Sequence, residues 1–203
     1  MRRRFTRNSG IPSLQYSKKQ VETLRDLHGA LNDMSRSLPR NIILIGMPAV
    51  GKSTIGVLLA ERIGFSYLDT DIYLQVNEGR RLHEIIASEG IDAFCDVEEK
   101  NILALDCRSH VIATGGSVVY RDAGMMQLKS MGAVVHLDLP PDQLQQRIGD
   151  IDQRGVVHSG AQTLAELYIE RHPLYRKYED IFIDCSEKSP EAIVEEIASQ
   201  FLV

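Results

Sequence analysis

Gly46, Gly51, Lys52 and Ser53 stand at the spacing G-x-x-x-x-G-K-S, and each residue type answers a need of phosphate binding. Glycines let the backbone turn so that successive N–H groups point inward at an anion. A lysine brings a cation to the β and γ phosphates, and the serine hydroxyl is placed to ligate Mg²⁺. Ala49, Val50, Gly51, Lys52, Ser53 and Thr54 are therefore assigned to a bound nucleotide, ATP or GTP. Further on comes Asp69-Thr70-Asp71. Side chains alternate along an extended chain, so the two carboxylates can face the same way, toward Mg²⁺ and a hydroxylated substrate. The plainer role for such an acid is to cap the helix that follows, and one of the pair can do so. Thr114-Gly115-Gly116-Ser117 is either a place where a ligand meets the backbone closely or an ordinary tight turn. Residues 149–160 hold three glycines, two acids, Arg154 and few apolar anchors. That composition suits a mobile flap carrying Arg154 to a transferring phosphoryl group, and it suits a plain surface loop equally.

The elements that must position these residues alternate along the chain. Residues 42–45 are apolar and mostly β-branched, a buried strand leading into the Gly-rich turn. A helix follows from about Lys52 to 63, adding the positive end of its dipole to the phosphate site. Strands are expected over 65–68, 110–113, 133–139 and 181–183, and helices over 72–77, 122–130, 142–148 (carrying Arg147) and 190–201. Residues 79–106 read as a helical lobe over the nucleotide, broken at Gly90. A helix from Thr163 is expected to be interrupted at His172-Pro173. Strand–helix alternation of this kind implies a parallel sheet between two helical layers.

Residues 1–40 form a separate N-terminal region. Arg2, Arg3, Arg4 and Arg7 make a basic arm, read as a disordered tail, a transit peptide or a nucleic-acid contact. Val21, Leu24, Leu27, Leu31 and Met34 mark an amphipathic helix that ends at Pro39. The domain proper spans 41–203. A net charge of −5 argues against general nucleic-acid binding. Cys95, Cys107 and Cys185 lack paired spacing, which suggests reduced thiols in a cytoplasmic setting. No apolar run reaches the roughly 20 residues that span a membrane. A soluble monomer acting on a small molecule is expected.

Five stretches in this order resemble the shikimate kinase family, in the nucleoside-monophosphate-kinase-like branch of P-loop proteins. They are the run from Gly46 through Thr54, Asp69-Thr70-Asp71, Phe94-Cys95-Asp96-Val97-Glu98-Glu99, Ala113-Thr114-Gly115-Gly116-Ser117-Val118 and Arg171-His172-Pro173-Leu174-Tyr175. The resemblance covers about residues 41–201. It implies a three-layer α/β/α fold with a five-stranded parallel sheet, a helical substrate lobe and a flexible lid. It implies Mg²⁺-dependent transfer of the γ-phosphoryl of ATP to the 3-hydroxyl of shikimate, a step of aromatic amino acid biosynthesis. Carried over by position, Lys52 holds the phosphates, Ser53 ligates the metal and Asp69 reaches it through water. Asp71 binds the substrate hydroxyls and accepts the proton. Gly115 and Gly116 lay backbone against the substrate, and Arg171 binds its carboxylate. Arg154 becomes the lid arginine, and Arg147 lies near adenine. The family pattern is broken at Ala49, Gly155 and Ser117, and at Cys95, where a substrate-clamping arginine is expected. Losing one guanidinium contact costs about 2–4 kcal/mol of transition-state binding. Cys95 and Ser117 thus raise two alternatives, a same-fold kinase for another hydroxylated metabolite and a non-catalytic ligand-sensing module. A second clamp from Arg80 or Arg81 would compensate for Cys95.

Overall fold

In the computed structural model the chain divides into two units, residues 1–36 and 37–203. The structure describes residues 39–148 and 162–202, all in the second unit. The arm and amphipathic helix expected before Pro39, and the flap with Arg154, lie outside the described residues.

Five parallel strands form one sheet: β1 (Asn41–Ile45), β2 (Ser66–Asp69), β3 (His110–Ala113), β4 (Ala133–Asp138) and β5 (Ile181–Asp184), in the order β2-β3-β1-β4-β5. Every residue of β1 is buried, which is why its sequence is continuously apolar after Asn41 and does not alternate. In register, Asp69 lies opposite Ala113 and Ala113 opposite Leu44. The chain therefore leaves β2, β3 and β1 side by side at one sheet edge, bringing Asp69, Gly115 and the phosphate loop together. That edge is the carboxyl end, where open α/β sheets bind ligands.

The helices are α1 (Lys52–Ile63), α2 (Thr70–Glu78), α3 (Leu82–Leu103), α4 (Asp122–Met131), α5 (Pro141–Ile148), α6 (Leu164–Tyr178) and α7 (Pro190–Ser199). α1 lies on the Leu44 face, where a Cβ on Gly56 would stand 2.6 Å from the Tyr67 ring, and it packs on α7. α6 covers the opposite face through Tyr175, whose ring lies 5.1 Å from that of His136 on β4. His136 pairs in register with Ile45, the neighbour of Leu44 on β1, so the two helices take opposite sides. These are the expected three layers. α2 and α3 carry a small apolar cluster of their own, Leu74, Ile85, Phe94 and Cys95, the core of the helical lobe.

α3 bends at Gly90, whose φ of 86° breaks the helical path as the sequence suggests. The break expected at His172-Pro173 does not occur, and α6 runs through Pro173. Proline deprives only the carbonyl four residues back of its donor, here that of Ile169, and Ile169 is 73% exposed. A 3₁₀ turn, Val118–Tyr120, was not foreseen. No helix of the described residues is long and apolar enough to cross a membrane.

Candidate active site

The phosphate loop turns on left-handed backbone at Gly46 (φ 139°), Ala49 (φ 64°) and Gly51 (φ 114°). A Cβ at Gly46 would lie 2.2 Å from the Leu137 carbonyl oxygen, so the first glycine is dictated by the neighbouring strand. Ala49 adopts a conformation that glycine takes freely, at a cost of about 1 kcal/mol. Lys52, buried at the start of α1, donates from Nζ to the carbonyls of Gly46 (2.8 Å) and Met47 (2.9 Å). The ammonium is thus tethered across the mouth of the loop. Burial lowers its pKa to about 8, against the opposing pull of Asp71.

Ser53 donates its hydroxyl to Asp69 Oδ2 at 3.0 Å, and Tyr67 donates to the same oxygen. Asp69 Oδ1 accepts from the backbone N–H groups of Asp71 and Ile72. Asp69 therefore serves both roles weighed for the pair, capping α2 with one oxygen and facing Ser53 with the other. Hard oxygen donors at this spacing suit Mg²⁺, which takes few protein ligands and leaves the rest to water and phosphate. No cluster of three or more acidic, histidine or cysteine side chains fit for a metal occurs among the described residues. Asp71 is half-buried. Burial, with the charge of Asp69 adding, raises its pKa to about 6.

Thr114 closes β3 by donating its hydroxyl to the Leu44 carbonyl, and Gly115 N–H donates to Thr70 Oγ1. The glycine pair fits because nothing larger can. A Cβ at Gly115 would meet Glu98 Oε1 at 2.4 Å and Asp71 Oδ1 at 2.7 Å; at Gly116 it would lie 3.0 Å from Pro48 and 3.1 Å from Arg171 Nη1. Gly116 thus separates the phosphate loop from Arg171. The Arg171 guanidinium is 1% exposed, donates from Nε to Tyr120 Oη at 2.8 Å and lies 4.9 Å over the Tyr120 ring. Tyr175 donates to the Gly116 carbonyl at 2.7 Å, fixing the turn to α6.

One cavity of about 600 Å³ is lined by the phosphate loop from Pro48 through Ser53 and by Asp69. Asp71, Gly115, Gly116, Ser117 and Arg171, with Leu82 and Phe94, line it too. Arg147 donates to the Val50 carbonyl at 3.2 Å and lines the cavity with Lys188, Pro190 and Ile193. Cys95 does not line it. The thiol is buried in the lobe cluster beside Phe94, and burial pushes its pKa up to about 11. Arg80 pairs with Glu89, Arg81 stands at the N-terminus of α3, and neither reaches the cavity wall. The second arginine clamp expected from them is not formed.

Sequence reasoning missed Tyr120, Tyr175 and the separate importance of Glu98. Glu98 is fully buried, accepts from Ser117 Oγ at 2.7 Å and leaves Oε1 without a hydrogen-bond partner. Burial raises its pKa to about 8. The signal was present in the Phe94-to-Glu99 motif, where an acid on the Phe94 face of the helix has no obvious cation.

The profile of the family described as shikimate kinase matches residues 48–202. A shikimate kinase of Persephonella marina is 35% identical over 159 residues, covering 78% of this chain and 96% of that protein. One from Paracidovorax citrulli is 36% identical over 166 residues, covering 79% and 91%. Among solved structures, the shikimate kinase of Acinetobacter baumannii in complex with shikimate superposes with a TM-score of 0.73 at 29% identity, over 81% of this chain and 93% of that one. The enzyme from Aquifex aeolicus gives 0.66 at 30% identity, over 78% and 94%.

Proposed function

The chain belongs to the shikimate kinase family, and on that premise we propose that it transfers the γ-phosphoryl group of ATP to a ring hydroxyl of shikimate with Mg²⁺. The observation that carries the reading is the cavity itself. Its wall runs from a tethered lysine and a Ser53–Asp69 pair to a buried guanidinium beside two glycines. One region suits a polyphosphate and the other a hydroxylated carboxylate.

The chemistry is positioning and charge neutralisation. Lys52 releases its loop carbonyls to hold the β and γ phosphates. Ser53, with Asp69 behind it, would hold Mg²⁺, which would supply charge neutralisation on the phosphates. Arg171, fixed by Tyr120, binds the acceptor carboxylate and orients the ring. The backbone of Gly115 and Gly116 permits the close approach. Asp71 lies between the two halves and hydrogen-bonds the acceptor hydroxyl. With a pKa of about 6 it is mostly a carboxylate at neutral pH, able to take the hydroxyl proton as the new P–O bond forms. Arg147 is assigned to the adenine end of the nucleotide, and Arg154 to the transferring phosphoryl group. Neither alternative raised by Cys95 and Ser117 is favoured by relatives named for one acceptor.

A coupled assay of ATP consumption, run with shikimate and with a panel of other hydroxylated acids and polyols, tests the reading. Turnover is expected with shikimate. Turnover confined to another acceptor would overturn the substrate, and none with any acceptor would overturn the reaction.

A further inference from the structure

Two departures from the family pattern, Cys95 and Ser117, flank one side chain. Cys95 stands three residues before Glu98 on the same face of α3, and both are buried. Ser117 supplies the hydrogen bond that Glu98 Oε2 accepts. Glu98 Oε1 has no partner. The groups facing it come from every neighbouring element: Lys52 of α1, Asp71 of α2, Cys95 of its own helix, and Arg171 and Tyr175 of α6. Lys52 donates to loop carbonyls, Arg171 Nε donates to Tyr120, and the group one turn back is a thiol, not a guanidinium. Among the described residues no cation makes a hydrogen bond to Oε1. A buried carboxylate so placed is costly, and it takes up a proton instead.

Asp71 sharpens the choice. Glu98 Oε1 and Asp71 Oδ1 lie 2.4 and 2.7 Å from where a Cβ on Gly115 would stand, and like charges so close resist joint ionisation. Glu98 is the more deeply buried of the two. We propose that Glu98 is a positioning residue of the acceptor region that works as an uncharged carboxylic acid: Oε1 carries the proton and Oε2 holds the Ser117 hydroxyl. Through Ser117 it fixes the turn that presents Gly115 and Gly116 and leads into the 3₁₀ turn bearing Tyr120, the partner of Arg171. Cys95 and Ser117 then belong together. The thiol leaves the acid neutral, and the hydroxyl gives the neutral acid a partner. The assignment rests on the acceptor-site reading above.

Carbon-13 NMR of protein labelled at glutamate carboxyls tests it without nucleotide or acceptor, so failure of the proposed reaction would not affect the result. One side-chain resonance should titrate with a midpoint near 8 and vanish in both Glu98→Gln and Glu98→Asp, either of which suffices for assignment. Ser117→Ala should move that midpoint up, since the hydroxyl's hydrogen bond lowers it. All glutamates titrating below about 6 would overturn the proposal. In kinetics at neutral pH, Glu98→Ala should lose about tenfold in kcat/KM for the acceptor. Glu98→Gln, neutral and isosteric, should recover most of that loss. Recovery by Glu98→Asp and not by Glu98→Gln would show that the charge is required and would overturn the proposal.

Discussion

Arg171 holds a guanidinium almost wholly out of water, with Nε on the Tyr120 hydroxyl and the plane over its ring. A planar fork so fixed presents parallel donors to a carboxylate; an ammonium on a flexible stem does not. Arg171→Lys is therefore expected to raise the KM for an acidic acceptor about 10- to 100-fold, a loss of about 1.4–2.8 kcal/mol, with little change in the KM for ATP. Initial-rate kinetics with each substrate varied measures this, and an unchanged acceptor KM would remove Arg171 from the carboxylate site. Glu98 makes the second prediction. Its folded pKa is raised to about 8 from 4.5 by burial. Its contribution to stability is thus fully present below the unfolded value and is lost as pH rises through the folded one. Glu98→Gln has no such loss. The stability advantage of the glutamine variant should grow between pH 5 and pH 8 to about 2 kcal/mol or more, read from urea unfolding at the two pH values. A constant difference would mean that the carboxyl does not titrate in that window. Residue types with fixed chemistry were legible in the sequence: Lys52, Ser53 and Asp69 meet as expected. What was not legible depends on contacts between distant elements. Tyr120 matters because α6 brings Arg171 to it, and Cys95 turns into the lobe core while its neighbour Phe94 faces the cavity.

At the scale of elements, the sheet is tied at the amino ends of its strands by Asn41. Its Nδ2 donates to the carbonyls of Cys107 and Met131, and its Oδ1 accepts from His110 N–H, each at 3.0 Å. One buried amide thus joins β1, the start of β3 and the end of α4. Asn41→Ala would leave three backbone groups without their side-chain partner, and a loss of about 2–4 kcal/mol is expected in urea unfolding. Since this edge is opposite the phosphate loop, KM values for both substrates should stay within about twofold in the folded fraction. A variant as stable as the parent would mean that water reaches these groups. Strand and helix positions were readable because apolar periodicity and glycine stops are local signals, and Gly64 and Gly90 mark real ends or bends. Pro173 misled because its effect depends on whether one carbonyl faces water, which only packing decides. Asn41 gave no signal, since a polar residue at the head of an apolar run looks like a boundary.

For the unit as a whole, strand order decides that separate binding energies act on one structure. The phosphate loop follows β1, the glycine pair follows β3, and Arg171 comes from α6, so a ligand in either region adds contacts to elements drawn from separate parts of the chain. A ligand that binds only the folded state stabilises it by RT ln(1 + [L]/Kd), about 2.7 kcal/mol at a hundredfold excess over Kd. For a unit of this size that is a rise of about 2–4 °C per kcal/mol in Tm. A non-hydrolysable ATP analogue with Mg²⁺ and shikimate alone should each raise Tm by several degrees. Lys52→Ala separates the two effects. Removing the ammonium takes away the cation for the phosphates while leaving Arg171, Tyr120 and the glycine pair in place. The variant should lose most of the nucleotide's shift, keep that of shikimate, and turn over at least about a hundredfold more slowly. Loss of both shifts together would mean that Lys52 supports the fold of the loop through Gly46 and Met47 and not the nucleotide, and the phosphate half of the site would have to be assigned anew.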